Sequence, residues 1–174
     1  MTKYVALFRA INVGGTGKLP MADLKSMCEE AGFAQVATYI ASGNVVFESK
    51  ASEAKVKAAL EKRLHAYAGK PVGVVVRTAA EMAAVVKANP FPEASPSQAV
   101  AIFLDRPPTA DALKQAVGVN DEKMRLGKRE IFVHFPSGQG RSKLRIPAAK
   151  AGTARNMNTV AKLADMAAKI GAGK

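Results

Sequence analysis

The apolar and polar positions of this chain switch between a period of two and a period near 3.6, and the switches mark its elements. Residues 4–8 (Tyr4-Val5-Ala6-Leu7-Phe8) are apolar throughout, as in a strand covered on both faces. Met21, Leu24, Met27, Cys28 and Ala31 follow at helical spacing, with Pro20 suited to the first turn and Gly32 to the stop. Residues 36–40 and 45–48 are β-prone runs around Ala41-Ser42-Gly43-Asn44, the turn chemistry of a hairpin. Ser52 can cap a helix striped by Val56, Leu60, Leu64 and Tyr67. Gly69 and Pro71 then break the chain before a strand over 72–76. The first 77 residues thus predict β-α-β-β-α-β, the ferredoxin-like split βαβ order.

Thr78-Ala79-Ala80-Glu81 reads as a capping box opening a linking helix with Met82, Val85 and Val86 inward. The Pro-rich stretch 89–96 marks the boundary, giving halves of 1–90 and 91–174. Beyond it the plan repeats. Residues 99–104 resemble the first strand, and Thr109 can cap a short helix with Leu113 and Val117. Strands over 122–126 and 131–135 flank Gly127-Lys128-Arg129-Glu130 as a second hairpin. Residues 144–149 suggest a short helix despite Pro147, and Val160, Leu163, Ala164, Ala167 and Ile170 stripe a final amphipathic helix. The expected fold is α+β: two ferredoxin-like (α/β-plait) halves with antiparallel sheets, an internal repeat, plus a C-terminal helix.

Composition narrows the class. Hydrophobic residues make up 48% and charged residues 23% of 174, the balance of a folded globular chain. One cysteine excludes an internal disulfide, and Cys28 on the apolar stripe reads as a buried structural thiol. His65 and His134 with that cysteine are too few for a zinc cluster. His134 reads as an ordinary strand histidine. No apolar run reaches the roughly 18 residues of a membrane span, and no signal peptide is seen. A soluble cytoplasmic protein with no membrane partner and no cofactor is expected. Net charge is +12, and residues 121–174 carry 12 Lys/Arg against 4 Asp/Glu. Such an excess attracts phosphates.

Two tempting motifs fail. Gly15-Thr16-Gly17-Lys18 is not a nucleotide-hydrolase phosphate loop, because Asn12 stands where the leading glycine is needed and Leu19 where Ser or Thr must hold Mg²⁺. An RNA-recognition sheet needs stacking aromatics in a basic-Gly-aromatic context, and Asn44-Val45-Val46-Phe47 offers one aromatic without a basic lead. Topology supplies a different site. In a split βαβ, the turn after the first strand and the β2–β3 hairpin emerge at one end of the sheet. Arg9, Asn12, Gly14 and Gly15 should therefore neighbour Ser42, Gly43 and Asn44, a kit of arginine, amides, hydroxyl and glycine N–H groups for an anion. By the same argument Arg106 should neighbour Lys128 and Arg129. Asn12 and Asn44 could equally serve turn backbone. In the tail, Asn156 either caps the last helix or joins Arg155 and Thr159 in a polar site. No general acid/base pair stands out.

The segments Phe8-Arg9-Ala10-Ile11-Asn12-Val13-Gly14-Gly15, Tyr39-Ile40-Ala41-Ser42-Gly43-Asn44-Val45-Val46-Phe47, Ser142-Lys143-Leu144 and Thr153-Ala154-Arg155-Asn156-Met157-Asn158-Thr159-Val160 together resemble the bacterial domain-of-unknown-function family numbered 1697. The resemblance implies two ferredoxin-like halves and no established activity. The family's usual Gly and Trp are replaced here by Ala10 and Met157, the second substitution removing an indole donor and stacking face. The resulting expectation is a non-catalytic binding module for an anionic ligand, nucleic acid backbone or a phosphorylated metabolite. It would use Arg9, Asn12, Gly14, Gly15, Ser42, Gly43, Asn44, Lys143, Arg155, Asn156 and Thr159. A small-molecule enzyme using the same pocket and a protein-assembly module are the alternatives. The sequence leaves the oligomeric state open.

Overall fold

The unbroken apolar run becomes the central strand of a sheet, as its two-sided pattern requires. β1 (Thr2–Phe8) pairs antiparallel with β3 (Asn44–Ser49) on one side and β4 (Val74–Thr78) on the other. β2 (Ala34–Tyr39) completes the order β2-β3-β1-β4. Our computed structural model describes residues 2–9, 21–39, 43–69, 72–150 and 152–170. Alternate residues of the sheet, among them Tyr4, Ala6, Phe8 and Phe47, pack against Leu24 and Cys28 of α1 (Met21–Glu30) and Val56, Leu60 and Leu64 of α2 (Glu53–Ala68). Phe33 stacks on Phe47 with ring centroids 4.3 Å apart. The opposite side chains, Val5, Leu7, Val46 and Val75, are buried too.

Local chemistry sets the ends of these elements. Ser52 Oγ accepts from Lys55 N at 3.4 Å to open α2, and Gly69 at φ 72 closes it with its N–H on His65 O. Tyr67, expected on the α2 stripe, is 48% exposed. It lies in the last turn of α2 and borders an open groove with Met27, Glu30 and Arg63. In β2 the register shifts between Ala34 and Ala37. Gln35 there takes φ 55, a backbone conformation that is costly for a residue with a side chain.

The second half repeats the strand order with different cover. β5 (Ala99–Phe103) is central, flanked by β7 (Glu130–His134) and β8 (Thr153–Asn156), with β6 (Lys123–Leu126) at the edge: β6-β7-β5-β8. Residues 153–156, expected to lead straight into the final helix, are instead a strand. Their four residues lack a strong apolar run, and pairing with β5 supplies what local propensity does not. Where the first half has helices, this half has 3-10 turns at Ala112–Gln115, Gln139–Arg141 and Pro147–Ala149.

The short helix expected here is the 3-10 turn Ala112–Gln115, which excludes Val117 and is not capped by Thr109. The Thr109 hydroxyl donates to Asp111 Oδ1 at 2.7 Å, and Val117 leaves the turn to bridge Arg145. Pro147, lacking an N–H, begins a turn rather than continuing a helix from residue 144. The core on this face is correspondingly smaller: Val100, Leu104, Ile131, Val133, Phe135 and Ile146.

Each fourth strand runs directly into a helix: β4 into α3 (Ala79–Ala88), β8 into α4 (Met157–Lys169). The Thr78 box forms as its sequence predicts, with Thr78 N on Glu81 Oε1 at 2.8 Å and Glu81 N on Thr78 Oγ1 at 3.1 Å. The chain divides into two compact units, Met1–Met82 with Leu163–Lys174, and Ala83–Lys162. In the first, Lys3 Nζ donates to Ala168 O at 3.3 Å, fastening the end of α4 to the start of β1. Among the described residues, no helix is long and apolar enough to cross a membrane.

Candidate functional site

The topological argument for a shared end holds in both halves. Phe8 N donates to Gly43 O at 2.9 Å, tying the end of β1 to the β2–β3 hairpin. In the second half the matching bond runs from Leu104 N to Arg129 O, also 2.9 Å. Arg129 then turns its guanidinium onto Asp105 O, from Nη2 at 2.8 Å and Nε at 3.2 Å. Arg106 therefore follows a residue that Arg129 holds.

In the first unit Arg9 and Gly43 flank this junction, with Asn44 next along β3. Arg9 N donates to Gly73 O at 2.9 Å, and its side chain crosses Gly73 so closely that a Cβ there would come within 3.0 Å of Arg9 Cδ. Gly43 takes φ 80, which only glycine adopts cheaply. Asn44 is fully buried opposite Leu7, and its Nδ2 donates to Tyr39 O at 3.1 Å, clasping the two hairpin strands. Asn12, Gly14, Gly15 and Ser42, and with them Ala10, lie outside the described residues.

In the second unit Arg155, Asn156 and Thr159 come together at the β8–α4 junction. Asn156 is the cap: its Oδ1 accepts from Thr159 N at 3.0 Å. Arg155 is 8% exposed, with Nη1 on Thr153 Oγ1 at 2.7 Å and on Ala154 O at 2.9 Å. Burial lowers its pKa to about 10, which still leaves it charged at neutral pH. Lys143 is exposed elsewhere in this unit. It lines a cavity of about 310 Å³ with Asn120, Asp121, Glu122, Ser137, Arg141 and Ser142. Ser142 Oγ donates to Glu122 Oε2 at 2.5 Å and Asn120 N to Oε1 at 2.7 Å, and these bonds hold the Glu122 carboxyl below its ordinary value near 4.5.

Sequence reasoning missed Arg77. It is 1% exposed and donates to Val76 O at 3.1 Å. Its place opposite Val5 matches that of Arg155 opposite Ala101. The signal was available as an arginine followed by a capping residue and a helix, Arg77-Thr78 and Arg155-Asn156. Asn44 opposite Leu7 and Glu130 opposite Phe103 are a second matched pair of buried polar groups. Cys28 is the buried thiol its position predicts, pushed up to about 12 chiefly by desolvation. Among the described residues, no three His, Cys, Asp or Glu side chains group to hold a metal.

Two antiparallel sheets of one strand order, each ending in a buried arginine and a capped helix, define an α+β protein built from a repeated ferredoxin-like unit. The chain belongs to the family described as protein of unknown function DUF1697, whose model matches residues 1–132. Among solved structures it is similar to a conserved bacterial protein from Streptococcus pneumoniae. The two are 26% identical, with a TM-score of 0.80 over 95% of this chain and 98% of that one. No curated protein matches the sequence.

Proposed function

We propose that this protein is a non-catalytic binding module for an anionic ligand, a nucleic acid backbone or a phosphorylated metabolite. One observation carries the reading. Between residues 122 and 150 there are eight Lys/Arg, of which seven are exposed and Arg129 is half-buried. The two acids of the same stretch, Glu122 and Glu130, are both buried. The exposed charges of this stretch are therefore all positive, while Glu122 keeps its negative charge in the cavity that Arg141 and Lys143 line. Low-dielectric protein beneath exposed cations focuses their field toward solvent anions.

The alternatives draw less support. Glu122 is held below its ordinary value, the reverse of the raised carboxyl that a general acid at neutral pH requires. Arg155 and Asn156 already make hydrogen bonds within the β8–α4 junction. The exposed cations, rather than these two residues, are the ligand contacts, and Lys143 with Arg141 takes a compact phosphate. The test is binding of a fluorescein-labelled 20-base-pair DNA duplex and of inorganic pyrophosphate, each titrated from 25 to 300 mM salt. An affinity falling steeply with salt for either probe is expected. Absence of binding to both at 25 mM salt would overturn the reading.

A further inference from the structure

We infer that the β6 edge of the second sheet, with the hairpin that follows it, is a docking surface for the phosphodiester backbone of nucleic acid. The inference rests on the anion-binding reading and gives it a place. Three observations lead to it.

The first is geometry. Lys123 lies opposite His134 and Arg125 opposite Phe132, while Met124 between them lies opposite Val133 and packs into the core. The two cations thus share one face of an edge strand, separated by about 6.6–6.8 Å along it. Lys128 and Arg129 continue the run through the hairpin, and Arg129, anchored on Asp105 O, brings it to Arg106. Lys123, Arg125, Lys128 and Arg106 are all exposed.

The second is the fate of the acids. Glu130 is 5% exposed, and Glu122 is fixed by Ser142 and Asn120. Asp121, just before the strand, is exposed and accepts from Ser137 Oγ at 2.5 Å. Asp105 is the exposed acid at the far end. Among the described residues, the strand and hairpin from Lys123 to Arg129 carry no carboxylate.

The third is the internal control provided by the repeat. Matching each edge strand through its partner, Ala34 opposite Glu48 holds the place of Lys123, and Ala37 opposite Val46 holds the place of Arg125. The fold accepts two alanines where the second copy has two cations. The topology therefore does not demand the charges, and a solvated strand edge is equally possible without them. A row of spaced cations on an edge strand, where the facing His134 and its ring neighbour Phe91 are half-buried, suits backbone phosphates rather than bases.

The experiment compares three proteins on the labelled duplex and on inorganic pyrophosphate. They are the wild type, K123A/R125A/K128A, and K25A/K55A/K62A, whose lysines are exposed on α1 and α2. Circular dichroism and thermal midpoints check that each is folded. The edge variant should bind duplex at least about tenfold more weakly at 100 mM salt, with the slope of log affinity against log salt reduced by about 2–3. The helix variant should match wild type. Wild-type affinity and slope in the edge variant would overturn the docking surface while leaving the anion-binding reading intact. So would binding of pyrophosphate without duplex. Binding of neither probe by wild type would overturn both.

Discussion

The two halves use one strand order and cover one sheet face in different ways. In the first, α1 and α2 lay long apolar stripes on the sheet, and Phe33 stacks on Phe47 beneath them. In the second, 3-10 turns and loops cover a smaller core, and the chain saved on helices goes into polar loops lined with cations. The strand pairings, the hydrogen bond at the shared end, the buried arginine and the capped helix all survive the change. A sheet of this order is thus tolerant of what covers it so long as the face is dry. The half with the less regular cover also carries most of the net positive charge.

The largest test of this contrast is in the cores. Phe47 and Val133 hold matched positions, opposite Tyr4 and Val100. Phe47→Ala should cost about 3–5 kcal/mol in urea unfolding, and Val133→Ala about 2 kcal/mol from two lost methyl groups and a small cavity. Equal losses would break the claim that helical cover gives the first half its stronger core. Next come the matched caps. Thr78→Ala and Asn156→Ala should each destabilise by about 1 kcal/mol, with hydrogen exchange speeding first in α3 and α4 respectively. A neutral result at either position would show that tertiary packing alone holds that helix.

Two titrations sharpen the comparison further. Glu122 in the second half has a depressed folded pKa, so its contribution to stability is present above about pH 4.5 and is lost as pH falls through its folded value. Ser142→Ala should move the carboxyl's NMR titration midpoint up, and an unmoved midpoint would dismiss the hydroxyl as its cause. Cys28 in the first half runs the other way. Its raised folded pKa means stability is fully present below about pH 9 and is lost as pH rises toward about 12. In the native protein a thiol reagent should react no faster than the core opens, and rapid labelling would contradict the buried assignment. The smallest effect belongs to the exposed ion pair of Lys57 and Glu61 at 3.0 Å on α2. Lys57→Ala should change stability by only about 0.3–0.5 kcal/mol.

Legibility from sequence followed the strength of the local signal. β1, β3, the Ser52-capped α2 and the Thr78–Glu81 box were readable because period, capping chemistry and β-branching agreed in each. The helix expected near Thr109 shrinks to one 3-10 turn without a side-chain cap, the Thr109 hydroxyl donating to Asp111 instead. β8 was invisible because Thr153-Ala154-Arg155-Asn156 carries no strand pattern of its own. Around the candidate site, only the nearness of strand end and hairpin was legible. The pairing of strand end with hairpin followed from topology alone, whereas the cap made by Asn156 and the clasp made by Asn44 required coordinates.

By itself the sequence determined the alternation of elements, the repeated plan, the buried thiol and the concentration of positive charge in the last third of the chain. These depend on neighbours a few residues apart, which a linear pattern records. Tertiary structure alone decided which charges face water. Glu122 and Glu130 are as polar on paper as Lys123 and Arg125, yet hydrogen bonds and sheet register turn the acids inward and leave the bases on the open edge. Register is set by partners far along the chain, and a shift of one residue would exchange the two faces.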